Sequence, residues 1–440
     1  MQIYIIKIEI YYIVSGRKYI MKKDEMLIGN NKKKYLIVFI CMFMQAVPFC
    51  IAQNIQPLFI PYVINKFDFS LASFSLIFTF GALASAIFSP FLGKLFGKIH
   101  IKILFIVGTV LSSLGFLGFG FAKELPQFYI LAGVCQVGCV LLSGLGVPYV
   151  INNWFPKKGR GIALGVAFSG GSIGNIFLQE ITSQMLASKG SSYSYVVFGI
   201  ISLICSLPVI LLFMRMPKAN EVEVFDKNSN EYNIDHHGFE GFGVKETTKN
   251  KYFWRCSIGY AIIGIAISAL STQYATYFTG ELKMNAILVG TLGSVFALFG
   301  LIGNITGGVL FDKIGTLKTM SISFVLSIVA VIGLLVSSKV HSLAFIFSIA
   351  YGLNVYSYMS APAFMTTDVF GKKDSSVILG IVNLIFALGY ALGSSLFGVI
   401  VDNFGFSMGW IVMIVCIILG YSLLLTSIKK VKEQNKKLYK

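Results

Sequence analysis

The chain has 440 residues, of which 56% are hydrophobic and only 12% charged, about half the charged fraction of an ordinary soluble domain. Together with a mean hydropathy of +0.78, this excludes a soluble globular enzyme or binding module. The net charge of +17 would suit a nucleic-acid surface, but the cations follow membrane topology instead, and no nucleic-acid partner is expected.

The first twenty residues, MQIYIIKIEIYYIVSGRKYI, do not read as a signal peptide, because Lys7 and Glu9 interrupt the apolar run and no small-residue cleavage site follows. Met21 opens MKKDEM, an ordinary start, so residues 1–20 are expected to be an extension with no role. Residues 1–34 form a basic cytosolic segment. Twelve apolar runs follow, near 35–63, 70–93, 102–122, 126–150, 161–187, 193–215, 252–279, 285–310, 319–338, 342–366, 377–401 and 405–427. Each is long enough to cross about 30 Å of hydrocarbon as a helix. The chain therefore reads as an all-α integral membrane protein. It is laid out as a bundle of six spans (35–215), a cytosolic linker (216–251), a second bundle (252–427) and a basic cytosolic tail (428–440).

With the N-terminus in the cytosol, 31 of the 36 Lys and Arg fall in inner segments. Only Lys66, Lys123, Lys189, Lys283 and Lys339 fall in outer loops. Asymmetry of this kind places both termini in the cytosol of a multi-pass protein of the cell membrane, its basic loops facing anionic lipid. The seven cysteines all lie in the apparent spans and suit apolar packing rather than a disulfide framework. His236 and His237 in the linker point apart and lack further ligands, so neither a metal nor a cofactor is expected.

The halves repeat. GKLFGKI at 93–99 aligns with GVLFDKI at 308–314, and FPKKGRGIALG at 155–165 with FGKKDSSVILG at 370–380, both at an offset of 215. Gly174 with Gly389 and Gly118 with Gly333 keep that register. The cation knot Lys157, Lys158 and Arg160 lies in the inner loop before span 5, where no phosphate-loop spacing exists. In span 5 itself, Ala163, Ala167 and Gly171 repeat every fourth residue, as do Gly170 and Gly174, a face suited to close helix approach.

Six plus six helices with GxLxD-type loops after spans 2 and 8 resemble the major facilitator superfamily. The second loop carries Gly308, Leu310, Asp312, Lys313, Gly315 and Lys318. The first keeps Gly93, Leu95, Lys98 and Lys102 but has Gly97 in place of the aspartate. NNWFPKKGRGIALG after GLGVPY is similar to the oxalate/formate antiporter and monocarboxylate-porter branch. The resemblance implies a secondary transporter working by alternating access on a small metabolite, a monocarboxylate or related organic acid. Protons or a counter-solute would drive it, and a monomer would suffice. Gly93, Lys98, Gly308, Asp312 and Lys313 would form its gating motif, with Asp312 as an inward-side latch; Asp312 and Asp368 would hold inner helix ends.

Polar residues recur on single faces of the spans: Gln136, Cys139 and Ser143; Ser172, Asn175 and Gln179; Tyr351, Asn354 and Tyr358; Asn383, Ala387 and Tyr390. Gln45, Gln53 and Gln56 gather in span 1. Such faces either line a cavity or bond helix to helix. The resemblance implies basic substrate ligands in spans 8 and 11, but those positions are Asn304 and Asn383, and no Lys or Arg lies in a span interior. An amide offers hydrogen bonds without charge, so a dicarboxylate is an unfavourable substrate. The expected substrate-binding set is Gln45, Gln136, Ser143, Asn175, Asn304, Tyr351, Asn354, Tyr358 and Asn383. Glu180, the one acid inside a span, is the candidate for proton coupling or a structural acid. Two alternatives stay open: an exporter of neutral or amphipathic compounds, favoured by the tyrosines, and a membrane enzyme, for which no convergent histidines exist.

Overall fold

The computed structural model describes residues 33–155, 160–217, 242–371 and 374–438. Among them there is no strand beyond an isolated bridge between Phe96 and Ile99. Nine helices are long and apolar enough to cross a membrane. Three of these are pairs of helices joined at a glycine in the left-handed region: Gly190 (φ 77°), Gly315 (φ 76°) and Gly405 (φ 81°). Only glycine reaches that region without a Cβ penalty, so it makes the sharpest available break between two helices. Divided there, the helices are α1 (Lys33–Phe67), α2 (Leu71–Gly93), α3 (Ile101–Gly118), α4 (Leu125–Trp154), α5 (160–189) and α6 (191–213). The second half holds α7 (Lys251–Glu281), α8 (286–314), α9 (316–337), α10 (His341–Met359), α11 (375–404) and α12 (406–438).

The repeat inferred from the sequence is visible in the packing. Gly174 of α5 lies so close to α1 that a Cβ would run into the Ala46 carbonyl, and Gly389 of α11 meets the Ala261 carbonyl of α7 in the same way. In lipid no hydrophobic force drives helices together, so this backbone approach supplies the attraction through dispersion contacts. The fourth and tenth helices also depart from α-geometry at matching places. A π-segment occupies Val140–Gly144, and α10 is interrupted between Leu353 and Tyr356. In α1 the π-segment Gln45–Asn54 contains Pro48, whose missing N–H removes one ladder bond.

Two features depart from the expected layout. The 428–440 tail is not separate from the bundle: α12 runs on as one helix to Leu438, with Ile428 and Val431 buried. At the other end of the linker, Val244–Lys249 forms a short helix whose first N–H, on Val244, donates to Asp374 at 3.1 Å. Lys157, Lys158, His236 and His237 lie outside the described residues, as do residues 1–20.

The two bundles meet along a seam that is closed at one end and open at the other. At the end carrying the α1–α2, α5–α6, α7–α8 and α11–α12 connections, Gly290 of α8 abuts the Glu180 backbone, with a Cβ placed 2.8 Å from its Cα. Gly398 of α11 abuts Ala72 of α2 equally closely, at 2.7 Å. At the opposite end, Gly93, Gly165, Gly308 and Gly380 of the same four helices have open space around them. The molecule is thus open towards the face that carries the basic loops.

Candidate translocation site

The closed end is held by hydrogen bonds that cross from one bundle to the other. Gln179 of α5 is 1% exposed and sits at the centre. Its Nε2 donates to Asn175 Oδ1 (2.9 Å) and to the Asn54 carbonyl (3.1 Å), while its Oε1 accepts from the Tyr274 hydroxyl of α7 (3.0 Å). Gly293 of α8 leaves the room Gln179 occupies, since a Cβ there would overlap the amide. Ser294 of α8 donates to the Ile176 carbonyl at 2.6 Å. On the other flank Gln273 of α7 donates to Ser75 of α2 (2.8 Å), and Thr79 of α2 donates to the Ala391 carbonyl of α11 (2.6 Å). The Gln179 amide is fully bonded on both its nitrogen and its oxygen, which is the condition for burying it.

The expected binding residues divide into two sets. Gln45 and Ser143 are buried and bonded to each other, Nε2 to Oγ at 2.9 Å, and so tie α1 to α4. Asn354 turns into its own bundle: its Oδ1 accepts from Ser323 of α9 and its Nδ2 donates to Ser327 at 2.8 Å, in a network with Tyr421 of α12. Asn175 is buried, its Oδ1 accepting from Gln179 of its own helix and from the Cys50 thiol of α1 at 3.8 Å. Tyr351 is fully buried, its hydroxyl donating to the Ile267 carbonyl at 3.1 Å. For these five the helix-to-helix alternative describes the observed bonding.

The second set keeps its hydrogen-bonding capacity. Gln136 and Asn304 are half-buried and Asn383 is exposed, and none of the three has a hydrogen-bond partner among the described residues. Half-buried Tyr358 stacks on Tyr351 with ring centres 6.4 Å apart. Tyr351 in turn stacks on Phe296 of α8 at 5.0 Å, and Tyr390 of α11 meets Ser271 of α7 at 3.1 Å. The second bundle therefore offers aromatic rings, hydroxyls and the carboxamides of Asn304 and Asn383, while the first offers the carboxamide of Gln136. Glu180 is half-buried at the seam. Among the described residues its carboxylate accepts from Gln184 alone, one turn along the same helix, at 3.3 Å.

The gating loops differ. Asp312 and Lys313 are exposed at the end of α8 and make no hydrogen bond or ion pair among the described residues. The first loop has another shape: α2 stops at Gly93, and Gly97 takes φ +86° with the Tyr149 hydroxyl 3.3 Å from where its Cβ would be. Lys98 is exposed. Asp368 caps α9 by accepting from Thr316 N–H (3.3 Å) and pairs with Lys432 of α12 (2.6 Å). Burial alone would raise its pKa, but the bonds from Lys432 and Thr316 outweigh that and hold the carboxyl below its usual range. The sequence reading overlooked Gln273, Tyr274 and Asp402. The run STQYATY at 271–277 was the available signal for the first two.

Comparison with known proteins supports this architecture. The profile of the Major Facilitator Superfamily matches residues 36–279 and 256–439. The oxalate:formate antiporter of Oxalobacter formigenes is 23% identical over 422 residues, covering 93% of this chain and 95% of its own. The uncharacterised MFS-type transporter YhjX of Escherichia coli (strain K12) is 25% identical over 326 residues, covering 71% of this chain and 75% of its own. A bacterial homologue of the human lysosomal transporter Spinster, solved in an inward-facing and unoccupied conformation, superposes with a TM-score of 0.68 at 14% identity, over 91% of this chain and 98% of that one. The chain belongs to the Major Facilitator Superfamily: it is a multi-pass membrane transporter of small molecules and not an enzyme.

Proposed function

We propose that the protein is a secondary active transporter of a small monocarboxylate or related organic acid, moved by alternating access between the two bundles. The orientation taken is that of the cation asymmetry, both termini in the cytosol of a cell-membrane protein, so the open end faces inward. One observation carries the reading: Gln136, Asn304 and Asn383 are carboxamides with neither a hydrogen-bond partner nor a cation beside them among the described residues. Asn304, Asn383, Gln136 and Tyr358 supply donors enough for one carboxylate. They lack the charge that would offset desolvation of two, which costs several kcal/mol per ion. The likeness to the oxalate:formate antiporter supports an organic-acid substrate, and the lack of a cation in the span interiors favours the formate kind over the oxalate kind. Glu180 is the proton-coupling candidate, a carboxylate on the seam whose backbone packs against the opposite bundle.

A second reading rests on the rings Phe296, Tyr351 and Tyr358, which suit a neutral or amphipathic solute leaving the cell. Counterflow in liposomes, with formate, acetate, lactate, oxalate and neutral aromatic solutes, separates the two. Monocarboxylates should exchange and oxalate should not compete, and Asn304→Ala should raise the half-saturating concentration about ten-fold. Exchange of neutral solutes alone would select the second reading, and saturable oxalate exchange would overturn both.

A further inference from the structure

Among the described cross-bundle bonds of the closed end, one involves a charged group. Asp402 lies in the last turn of α11, and its carboxylate reaches α2 of the other bundle. Oδ2 accepts from the Ala72 N–H at 2.9 Å and Oδ1 from the Leu71 N–H at 3.2 Å. These are the first helical N–H groups of α2, which no intrahelical carbonyl can satisfy. Ser70, in the same chain segment, takes the Ser73 N–H at 3.1 Å, so the start of α2 is capped jointly by its own bundle and by its neighbour. A carboxylate at a helix N-terminus gains from the helix dipole and from charge-assisted bonding. Directly beneath, Gly398 and Ala72 are in backbone contact, so the anion sits on top of a tight crossing.

The duplication supplies an internal control. At the repeat position of Asp402 the first half has Ala187, and the start of α8, which corresponds to the start of α2, is capped by its own Asn285 through the Ile287 N–H at 2.8 Å. The α5–α8 flank therefore closes by packing and neutral bonds, while the α2–α11 flank also closes through an anion shared between bundles.

We propose that Asp402 is the latch of the end opposite the basic loops, and that it must release α2 each time that end opens. It complements the motif aspartate at the other end: Asp402 is engaged in the conformation in which Asp312 makes no bond among the described residues. The proposal goes beyond the substrate reading and does not depend on it.

The test uses purified full-length protein in nanodiscs, where both faces are accessible, so the outcome does not depend on which face is cytosolic. In a background without the seven native cysteines, Ser75→Cys reports on the closed end, since Ser75 is fully buried there. Ala387→Cys, exposed on the Asn383–Tyr390 face of α11, reports on the open end. Asp402→Ala should raise the thiol-labelling rate at Ser75→Cys about ten-fold and lower it at Ala387→Cys, because two charge-assisted bonds are lost from one conformation only. Asp402→Asn, which keeps an acceptor but no charge, should move both reporters in the same opposed directions by a smaller factor, and it carries the test should the alanine variant not fold. Unchanged labelling, or a rise at both sites as general loosening would give, overturns the proposal.

Discussion

The loops 94–100 and 309–315 occupy the same place in the two repeats and have taken different shapes. In the second half α8 runs on through Asp312 to Ile314 and breaks at Gly315. In the first half α2 ends at Gly93, and the chain turns through Gly97, the position that corresponds to Asp312. The glycine there is more than a missing aspartate, because its left-handed backbone would oppose any side chain. A duplicated fold thus keeps its packing in register, as Gly174 and Gly389 show, while the motif aspartate stands in one half only. Function can be lost from a repeat wherever the packing does not require it.

The largest effects should come where the halves agree. Gly174→Ala and Gly389→Ala each force a methyl group into the facing carbonyl, of Ala46 and of Ala261. Overpacking of this kind costs about 1–3 kcal/mol, and backbone cannot rotate away as a side chain can. Both variants should melt well below wild type in detergent, and by similar amounts. A large loss at one site alone would show that the two crossings are not equivalent.

The gate loops should respond unequally. Gly97→Asp restores the family residue at a backbone angle that costs an ordinary side chain about 1–2 kcal/mol. It should lower stability without speeding transport. Asp312→Asn removes a residue without a partner among the described residues, so stability should hold while the population moves further towards the form open at the basic end. The readout is cysteine accessibility at Ala387. Wild-type transport and unchanged accessibility in Asp312→Asn would end the latch role for that residue.

Much of this architecture was legible because membrane spans are written in long apolar runs, and because a repeat offset of 215 is a matter of counting. The cavity was less legible. A 100° helical projection puts Tyr351, Asn354 and Tyr358 on one face, but α10 is interrupted at Asn354, and the side chain turns to Ser323 and Ser327 instead. Likewise α1 and α4 carry π-segments at Gln45 and Ser143, where an extra residue per turn moves the face that periodicity assigns. Asp402 escaped notice for another reason. It lies at a helix end, where an acid is unremarkable until its partner across the seam is known. Its bond to Ala72 joins residues 330 positions apart, and no local pattern encodes such a pair.

The smallest expected effect lies at the inner end of the second bundle, which has a charged pair the first bundle lacks. Asp368 and Lys432 correspond to Asn153 and Pro217, so the first half has neither charge at these positions. The Lys432 and Asp368 side chains are 32% and 41% exposed, so the pair is screened and about 0.5–1 kcal/mol is the appropriate scale. The folded carboxyl titrates below its usual range, near pH 4 in an unfolded chain. The stabilisation is therefore complete above about pH 4 and disappears as the pH falls through the lowered folded value. Asp368→Asn should melt slightly below wild type at neutral pH, and the gap should close on acidification through that window. Lys432→Ala should show the same gap at neutral pH, because it leaves the Thr316 cap with a carboxylate but no counter-charge. The absence of any gap at neutral pH would mean that Asp368 stabilises α9 by hydrogen bonding alone, since an amide can still accept from Thr316, and a gap that persists unchanged at the lowest pH would show that the charge is not its source.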